Sequence, residues 1–205
     1  MRVLITGFGP FPGVPFNPSA RLAAALTGRH RPAFASIERT THVFATTYAG
    51  VDRDLPALVA QKPDIVLMFG LAGRARELRI ETRARNAASL LFPDAIGRRP
   101  RQRTIARDKP AALRGGAPFT RVLGAARDGR VPVRLSRDAG TYLCNYAYWR
   151  ALERAGGDVL VQFVHIPPLR PKRKRRRGGD DRLTFPQLVA AAERLLIALI
   201  AARRR

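Results

Sequence analysis

Short apolar segments alternate with helical patterns along most of this 205-residue chain, and that alternation limits the folds that the chain can adopt. Residues 3–6, 64–70 and 159–164 are nearly continuous apolar runs of strand length, which is typical of strands buried on both faces of a parallel sheet. The chain is long enough to fill one hydrophobic core. We therefore predict an α/β fold over residues 1–205, a single-domain three-layer α/β/α sandwich with a mostly parallel central sheet.

The remaining elements follow from side-chain periodicity and from residues that start or stop helices. Alternating or β-branched residues predict further strands at residues 40–48, 78–82 and 131–135. Helical spacing and capping residues predict helices at 17–28, 51–61, 118–127, 142–155 and 184–202. Residues 93–118 show no clear period, and we predict a long loop there.

The chain carries 38 Lys and Arg residues against 15 Asp and Glu residues, a net charge of +23. A nucleic-acid-binding protein has such a charge gathered on one surface. A compositional bias towards arginine produces the same total, and only four of the cations are lysine. Because the arginines are spread from Arg2 to Arg205, we favour the bias over a nucleic-acid partner. Six consecutive cations at 172–177 predict a solvated basic loop at about 170–180.

The lengths of the apolar segments also indicate the cellular location of the protein. None approaches the roughly 20 residues of a membrane helix, so we expect no membrane partner. The apolar stretch at the N-terminus is too short for a signal peptide. We therefore expect a cytoplasmic protein. The thiol of a free cysteine would stay reduced in that compartment.

Cys144 is the only cysteine, so it cannot form an internal disulfide. It follows a polar break and lies in the first turn of a predicted helix, which Thr141 can cap. Free N–H groups and the positive end of the helix dipole stabilise a thiolate at such a position. The alternative is that Cys144 is a small buried apolar residue.

His165 ends a predicted buried strand and precedes Pro167. Active sites of parallel sheets form outside the carboxyl ends of the strands. Since Cys144 follows one strand and His165 ends the next, both are predicted to lie at the same edge, as nucleophile and base. The alternative is a histidine that only holds the end of a core strand. No Cys/His cluster has zinc-site spacing, so we expect no structural metal.

A base of this kind needs a third group to orient it. Glu81 is a candidate, but spacing does not distinguish it from the other acidic residues. The alternative is a surface glutamate paired with neighbouring arginines.

Five segments, taken in order, carry a family resemblance. They are Gly7-Phe8-Gly9-Pro10-Phe11 with Asn17-Pro18-Ser19, Pro63-Asp64-Ile65 with residues 70–74, Ile80-Glu81 with Asn86, residues 139–146, and Phe163-Val164-His165-Ile166-Pro167. Over nearly the whole chain, this pattern resembles the pyroglutamyl peptidase I (pyrrolidone-carboxylate peptidase) family of cysteine peptidases. Each segment alone is weak, but the ordered set is specific.

The resemblance implies hydrolysis of the N-terminal pyroglutamyl (5-oxoprolyl) residue from peptides, with no cofactor or metal. Cys144 would attack the carbonyl carbon and form a thioester acyl-enzyme. His165 would take and return the proton, and Glu81 would hold the histidine tautomer, as in a catalytic triad. Relatives often form dimers or tetramers, so a homo-oligomer is a further expectation.

The resemblance also implies a pocket for the pyroglutamyl ring. Phe8 and Phe11 would sandwich the ring, although both could instead be core residues under a loop. Leu71, Phe92 and Leu143 match apolar pocket positions. The pattern suggests that Asn17 braces the first loop, a role that its position as a helix cap already explains.

Two segments depart from the family pattern. Pro12-Gly13 stands where the family usually has Gly-Gly, and Leu91 stands where it has an arginine near the reaction centre. Arg83 or Arg85 could supply the missing charge. The departures leave open a diverged hydrolase on the same scaffold that accepts a different acyl group.

Overall fold

A computed structural model describes residues 1–157, 159–170 and 181–204 of the chain. Within these residues the strands are β1 (Arg2–Phe8), β2 (Glu38–Phe44), β3 (Ile65–Leu71), β4 (Leu78–Glu81), β5 (Arg83–Arg85), β6 (Ala112–Arg114), β7 (Val133–Ser136) and β8 (Leu160–Ile166). The α-helices are α1 (Pro18–Thr27), α2 (Tyr48–Ala60), α3 (Phe119–Arg127), α4 (Leu143–Ala155) and α5 (Phe185–Arg203), and a short 3-10 helix spans Pro32–Phe34.

Six of the strands form one sheet in the order β2-β1-β3-β8-β4-β7. Strands β2, β1, β3 and β8 are mutually parallel, whereas β4 runs antiparallel to β8 and parallel to β7. The predicted α/β class with a mostly parallel sheet is confirmed. The reversal at β4 means that the carboxyl ends of β7 and β8 point in opposite directions.

The two faces of the sheet are covered by different helices, because the central strands are apolar on both faces. Helices α1, α3 and α5 pack on one face, against side chains such as Ile5, Leu67 and Val164. Helices α2 and α4 pack on the other face, where the fully buried Tyr148 and Trp149 meet the strands. Three layers result, with a separate apolar cluster on each side of the sheet.

The starts of α1 and α2 show how local sequence sets the helix ends. Asn17 Oδ1 accepts a hydrogen bond from the Ser19 N–H at 3.1 Å, and Pro18 occupies the first turn of α1. Thr47 Oγ1 accepts one from the Gly50 N–H at 3.0 Å. This cap starts α2 at Tyr48, so the strand predicted at 40–48 ends earlier, at Phe44.

The prediction that residues 93–118 form only a loop is wrong in one place. Residues 112–114 form β6, which pairs with β5 as a two-stranded antiparallel ribbon in the register Arg83↔Arg114 and Arg85↔Ala112. Each strand has three residues, and β5 reads Arg-Ala-Arg. Segments this short and polar carry no periodic signal.

By length and composition alone, helix α5 could cross a membrane. The expectation that no apolar segment approaches the length of a membrane helix is therefore corrected. Its apolar side chains, such as Leu195 and Leu199, are buried in the cluster that it shares with α3. Thr184 and Gln187 form its capping box, as their spacing predicts. The predicted basic loop at 170–180 lies outside the described residues except at residue 170.

We predict that Asn17→Ala lowers the free energy of unfolding by about 1 kcal/mol, because it removes the cap of α1. It also removes the bond from Asn17 Nδ2 to the Gly9 carbonyl, at 3.1 Å. Urea denaturation measures the change. Asn17→Asp keeps the capping oxygen and should lose less stability, and equal losses in the two variants would contradict the capping role.

Candidate active site

Glu81 and His165 meet across the antiparallel pair formed by β4 and β8. The register pairs Arg79 with His165 and Glu81 with Phe163. The Glu81 and His165 side chains therefore share one face as diagonal neighbours. Glu81 Oε1 lies 2.8 Å from His165 Nδ1. Glu81 is fully buried at 0% exposure and His165 is 7% exposed, so this bond is shielded from water.

Two buried side chains hold the backbone beside this carboxylate. The Tyr148 hydroxyl donates to the Glu81 carbonyl at 3.1 Å, and Gln162 Nε2 donates to the same oxygen at 3.0 Å. Both side chains are fully buried. They fix the end of β4 and hence the position of Glu81. The sequence analysis missed both residues, because neither lies in a segment whose pattern marks it as functional.

Cys144 lies in the first turn of α4, on the same face of the sheet. The residue that caps the helix is Tyr142, not Thr141 as predicted, and no side chain caps this end. The first N–H groups of α4 are therefore free to bind another acceptor. The thiol is partly exposed and packs at the edge of the apolar cluster around α4.

Gly70, at the end of β3, leaves the space that the thiol occupies. A Cβ atom at residue 70 would lie 2.7 Å from Cys144 Sγ and 2.7 Å from Phe163 Cζ. Both distances are too short for any real side chain, so only glycine lets α4 approach the strand this closely.

The Cys144 side chain lies close enough to the ring of His165 to shift its pKa. Nδ1 of this ring is engaged by Glu81, which leaves Nε2 for another partner. Burial by itself lowers the pKa of His165, but the neighbouring Cys144 side chain and the hydrogen-bonded Glu81 raise it from 6.5 to about 9. The three side chains thus form one contiguous group.

The route by which Cys144 reaches His165 differs from the predicted one. The prediction placed the ends of β7 and β8 at one edge of the sheet, but these strands run in opposite directions. Strand β7 ends at Ser136, which pairs with Glu81 at the level of Phe163. The polar segment after Ser136 leads into α4, whose N-terminus then lies beside His165.

Asn145 ties α4 to β5. Its Oδ1 accepts from the Arg85 N–H at 2.8 Å, and its Nδ2 donates to the carbonyls of Arg85 and Ala87 at 2.8 and 2.9 Å. The side chain is fully buried. Asn145 therefore fixes the first turn of α4 against the segment that follows Glu81.

Of the predicted pocket residues, Phe8 and Leu143 lie in the apolar cluster against which Cys144 packs. Phe8 is 2% exposed, and its ring packs against Phe44 with centroids 5.8 Å apart. Phe11 is partly buried in the loop after β1, where its backbone pairs with Val14. Phe8 is thus a core residue in this structure, the alternative considered for it from the sequence.

The other predicted pocket residues lie outside this apolar cluster. Leu71 is partly buried at the end of β3, next to Gly70. Phe92 is 59% exposed and meets the ring of Tyr142 edge-on at 6.4 Å. Asn17 braces the first loop through its bond to the Gly9 carbonyl.

Both proposed substitutes for the family arginine form hydrogen bonds with the segment that follows β7. Arg83 Nε donates to the Arg137 carbonyl at 2.8 Å, and Arg85 is hydrogen-bonded to Asp138 at 3.2 Å. The Leu91 side chain is 78% exposed.

We predict that His165 titrates near pH 9, and that its midpoint falls in Cys144→Ser, because the partner anion is lost. NMR of histidine-labelled protein measures both midpoints. Since the pKa is higher in the folded than in the unfolded state, this group stabilises the fold fully below about pH 6.5. That stabilisation is lost as the pH rises through about 9. An unchanged midpoint in Cys144→Ser would contradict the pairing.

We predict that Gly70→Ala displaces Cys144 and Phe163, so that the rate of thiol alkylation by iodoacetamide changes and the melting temperature falls. Gly73→Ala is the matched control, because a Cβ there has no heavy atom within 4 Å and the backbone is unstrained. Identical behaviour of the two variants would show that the close approach at residue 70 is wrong.

Comparison with known proteins shows the family and the fold to which the chain is related. The family model described as pyroglutamyl peptidase matches residues 1–202. The pyrrolidone-carboxylate peptidase of Thermococcus onnurineus is 33% identical over 171 residues, covering 82% of this chain and 84% of the relative. That of Bacillus subtilis is 32% identical over 170 residues, covering 81% and 78%.

Two crystal structures show the same fold. Pyroglutamyl peptidase I of Bacillus amyloliquefaciens superposes with a TM-score of 0.85 at 26% identity, covering 98% of each chain. Pyrrolidone carboxyl peptidase of Thermus thermophilus gives a TM-score of 0.85 at 30% identity, covering 97% of this chain and all of the other. The chain belongs to the pyroglutamyl peptidase family of enzymes.

Proposed function

We propose that the protein removes the N-terminal pyroglutamyl residue from peptides, with Cys144 as nucleophile, His165 as general base and acid, and Glu81 as the group that orients the imidazole. The observation that carries this proposal is the buried 2.8 Å bond between Glu81 and His165, with the Cys144 side chain beside the same ring. Membership of the family supports the substrate class.

The reaction proceeds through a thioester. His165 Nε2 takes the thiol proton, and Cys144 Sγ attacks the carbonyl carbon of the pyroglutamyl residue. The tetrahedral intermediate collapses, the C–N bond breaks, and the leaving amine takes the proton from His165. Water then attacks the thioester with His165 as base, which releases pyroglutamate and restores the thiol. The Glu81 side chain holds Nδ1 of the ring and stabilises the imidazolium throughout.

The first turn of α4 is placed to stabilise the negative charge that develops on the carbonyl oxygen. The developing oxyanion needs N–H donors, and this end of α4 has free N–H groups and no side-chain cap. The same turn carries the nucleophile, so both are placed by one rigid helix. Asn145 holds that helix against β5, which limits movement of the turn.

The pyroglutamyl ring is flat, small and uncharged, and an apolar slot suits it. Phe8 and Leu143 belong to the apolar cluster against which Cys144 packs and would support such a slot from the core, with Leu71 at the neighbouring strand end. Phe11 and Phe92 would reach the ring from the surrounding loops. We also propose a cytoplasmic location, where the thiol stays reduced, and a reaction that needs no metal.

We predict that Cys144→Ala abolishes hydrolysis of a fluorogenic pyroglutamyl amide. His165→Ala should have the same effect, and Glu81→Gln should lower kcat by roughly 10³–10⁴-fold, because it disturbs the tautomer of the base. Glu77→Gln is the matched control. Glu77 is paired with Arg79 and Arg134 instead of a histidine and should leave kcat close to that of the unsubstituted enzyme.

Residual activity in Cys144→Ala, or equal losses in Glu81→Gln and Glu77→Gln, would contradict the assignment. A prolyl amide with the same leaving group tests the acyl group, since a site that hydrogen-bonds the lactam rejects proline. Hydrolysis of the prolyl amide at a comparable rate would indicate the diverged hydrolase instead.

A further inference from the structure

A second concave site lies away from Cys144, between the β5–β6 ribbon, the end of β7 and the start of α3. Its volume is about 1090 Å³. Four arginines line it: Arg83, Arg114, Arg121 and Arg137. No aspartate or glutamate of the described chain contributes to the lining. We refer to this site as the arginine groove.

The four guanidinium groups differ from neighbouring arginines in having no carboxylate partner. Arg79 and Arg134 share Glu77, each at 3.0 Å, and Arg85 binds Asp138 at 3.2 Å. In contrast, the described residues place no carboxylate within 4.0 Å of any of the four groove arginines. Asp138 lies near enough to Arg83 to attract its charge, but the described lining of the groove itself carries four positive charges and no negative one.

Two contacts fix part of this positive charge in position. Arg83 Nε donates to the Arg137 carbonyl at 2.8 Å, which holds the Arg83 guanidinium across the groove. The Arg114 guanidinium carbon lies 5.6 Å from the centroid of the Phe119 ring, a cation–π contact. Pre-positioned guanidinium groups lose less conformational entropy when they bind a ligand.

The start of α3 adds backbone N–H donors to the lining of the arginine groove. No side chain caps this helix at Pro118, and no acidic residue lies in its first turn. Its first N–H groups are therefore unsatisfied, and the positive end of the helix dipole faces the start of the helix. Thr120 and Arg121, which belong to this turn, both line the groove.

We propose that the arginine groove binds a small polyphosphate anion. Guanidinium groups match pairs of phosphate oxygens, and a helix N-terminus adds N–H donors for the same anion. The volume is that of a small-molecule site, and the four arginines surround one concavity. A nucleic acid is bound by basic side chains along an extended surface, whereas these four arginines line one concavity of the described chain.

Isothermal titration calorimetry with sodium tripolyphosphate at physiological ionic strength tests the proposal. The unsubstituted chain should bind one anion, and Arg114→Ala/Arg121→Ala should weaken binding at least tenfold. The matched control is Arg101→Ala/Arg103→Ala, which removes the same charge from exposed positions outside the groove and should bind like the unsubstituted chain. Melting temperatures establish that both double variants fold.

A nucleoside triphosphate is titrated in parallel to identify the source of the phosphate. Equal affinity would show that the polyphosphate chain alone is recognised, and tighter binding would show a nucleotide site. Absence of tripolyphosphate binding, or equal weakening in both double variants, would overturn the proposal. A duplex oligonucleotide that binds through the groove arginines in preference to tripolyphosphate would also overturn it, in favour of a nucleic-acid surface.

Discussion

The hydrogen bond between Glu81 and His165 is the interaction on which the rest of the site depends. A fully buried carboxylate is costly unless it is paired, and His165 is its partner. The pair exists because β4 reverses direction beside β8, which makes the two side chains diagonal neighbours. Tyr148 and Gln162 then hold the Glu81 backbone. One antiparallel pairing, that of β4 with β8, in a mostly parallel sheet thus creates the site.

Helix α4 links the core of the protein to its chemistry. Its central residues Tyr148 and Trp149 are fully buried against the sheet, so the axis of the helix is fixed by packing. Its N-terminal turn projects Cys144 into the space beside Gly70. Apolar packing sets the position of the helix axis, and Gly70 sets how closely α4 approaches β3. The Cys144 thiol therefore lies beside His165 without a separate loop to position it. This rigidity suits a nucleophile that must meet both a base and a carbonyl carbon.

The sequence was sufficient to predict the class of fold, because the buried strands and capped helices have strong local patterns. It also singled out Cys144 and His165, which stand at element ends. Glu81 required the family resemblance, since a diagonal contact across antiparallel strands leaves no periodic signal. Strands β5 and β6 were missed because each has three residues and little apolar character. The direction of β4 was also beyond local patterns, because strand pairing depends on the whole sheet.

The central claim is that Cys144, activated by His165, becomes covalently acylated during turnover. Its most direct test is mass spectrometry of the enzyme after a rapid acid quench during hydrolysis of a pyroglutamyl ester. We expect one pyroglutamyl group on the peptide that contains Cys144, and no such group in Cys144→Ala. Sustained hydrolysis with an unmodified Cys144, or acylation at another residue, would contradict the account.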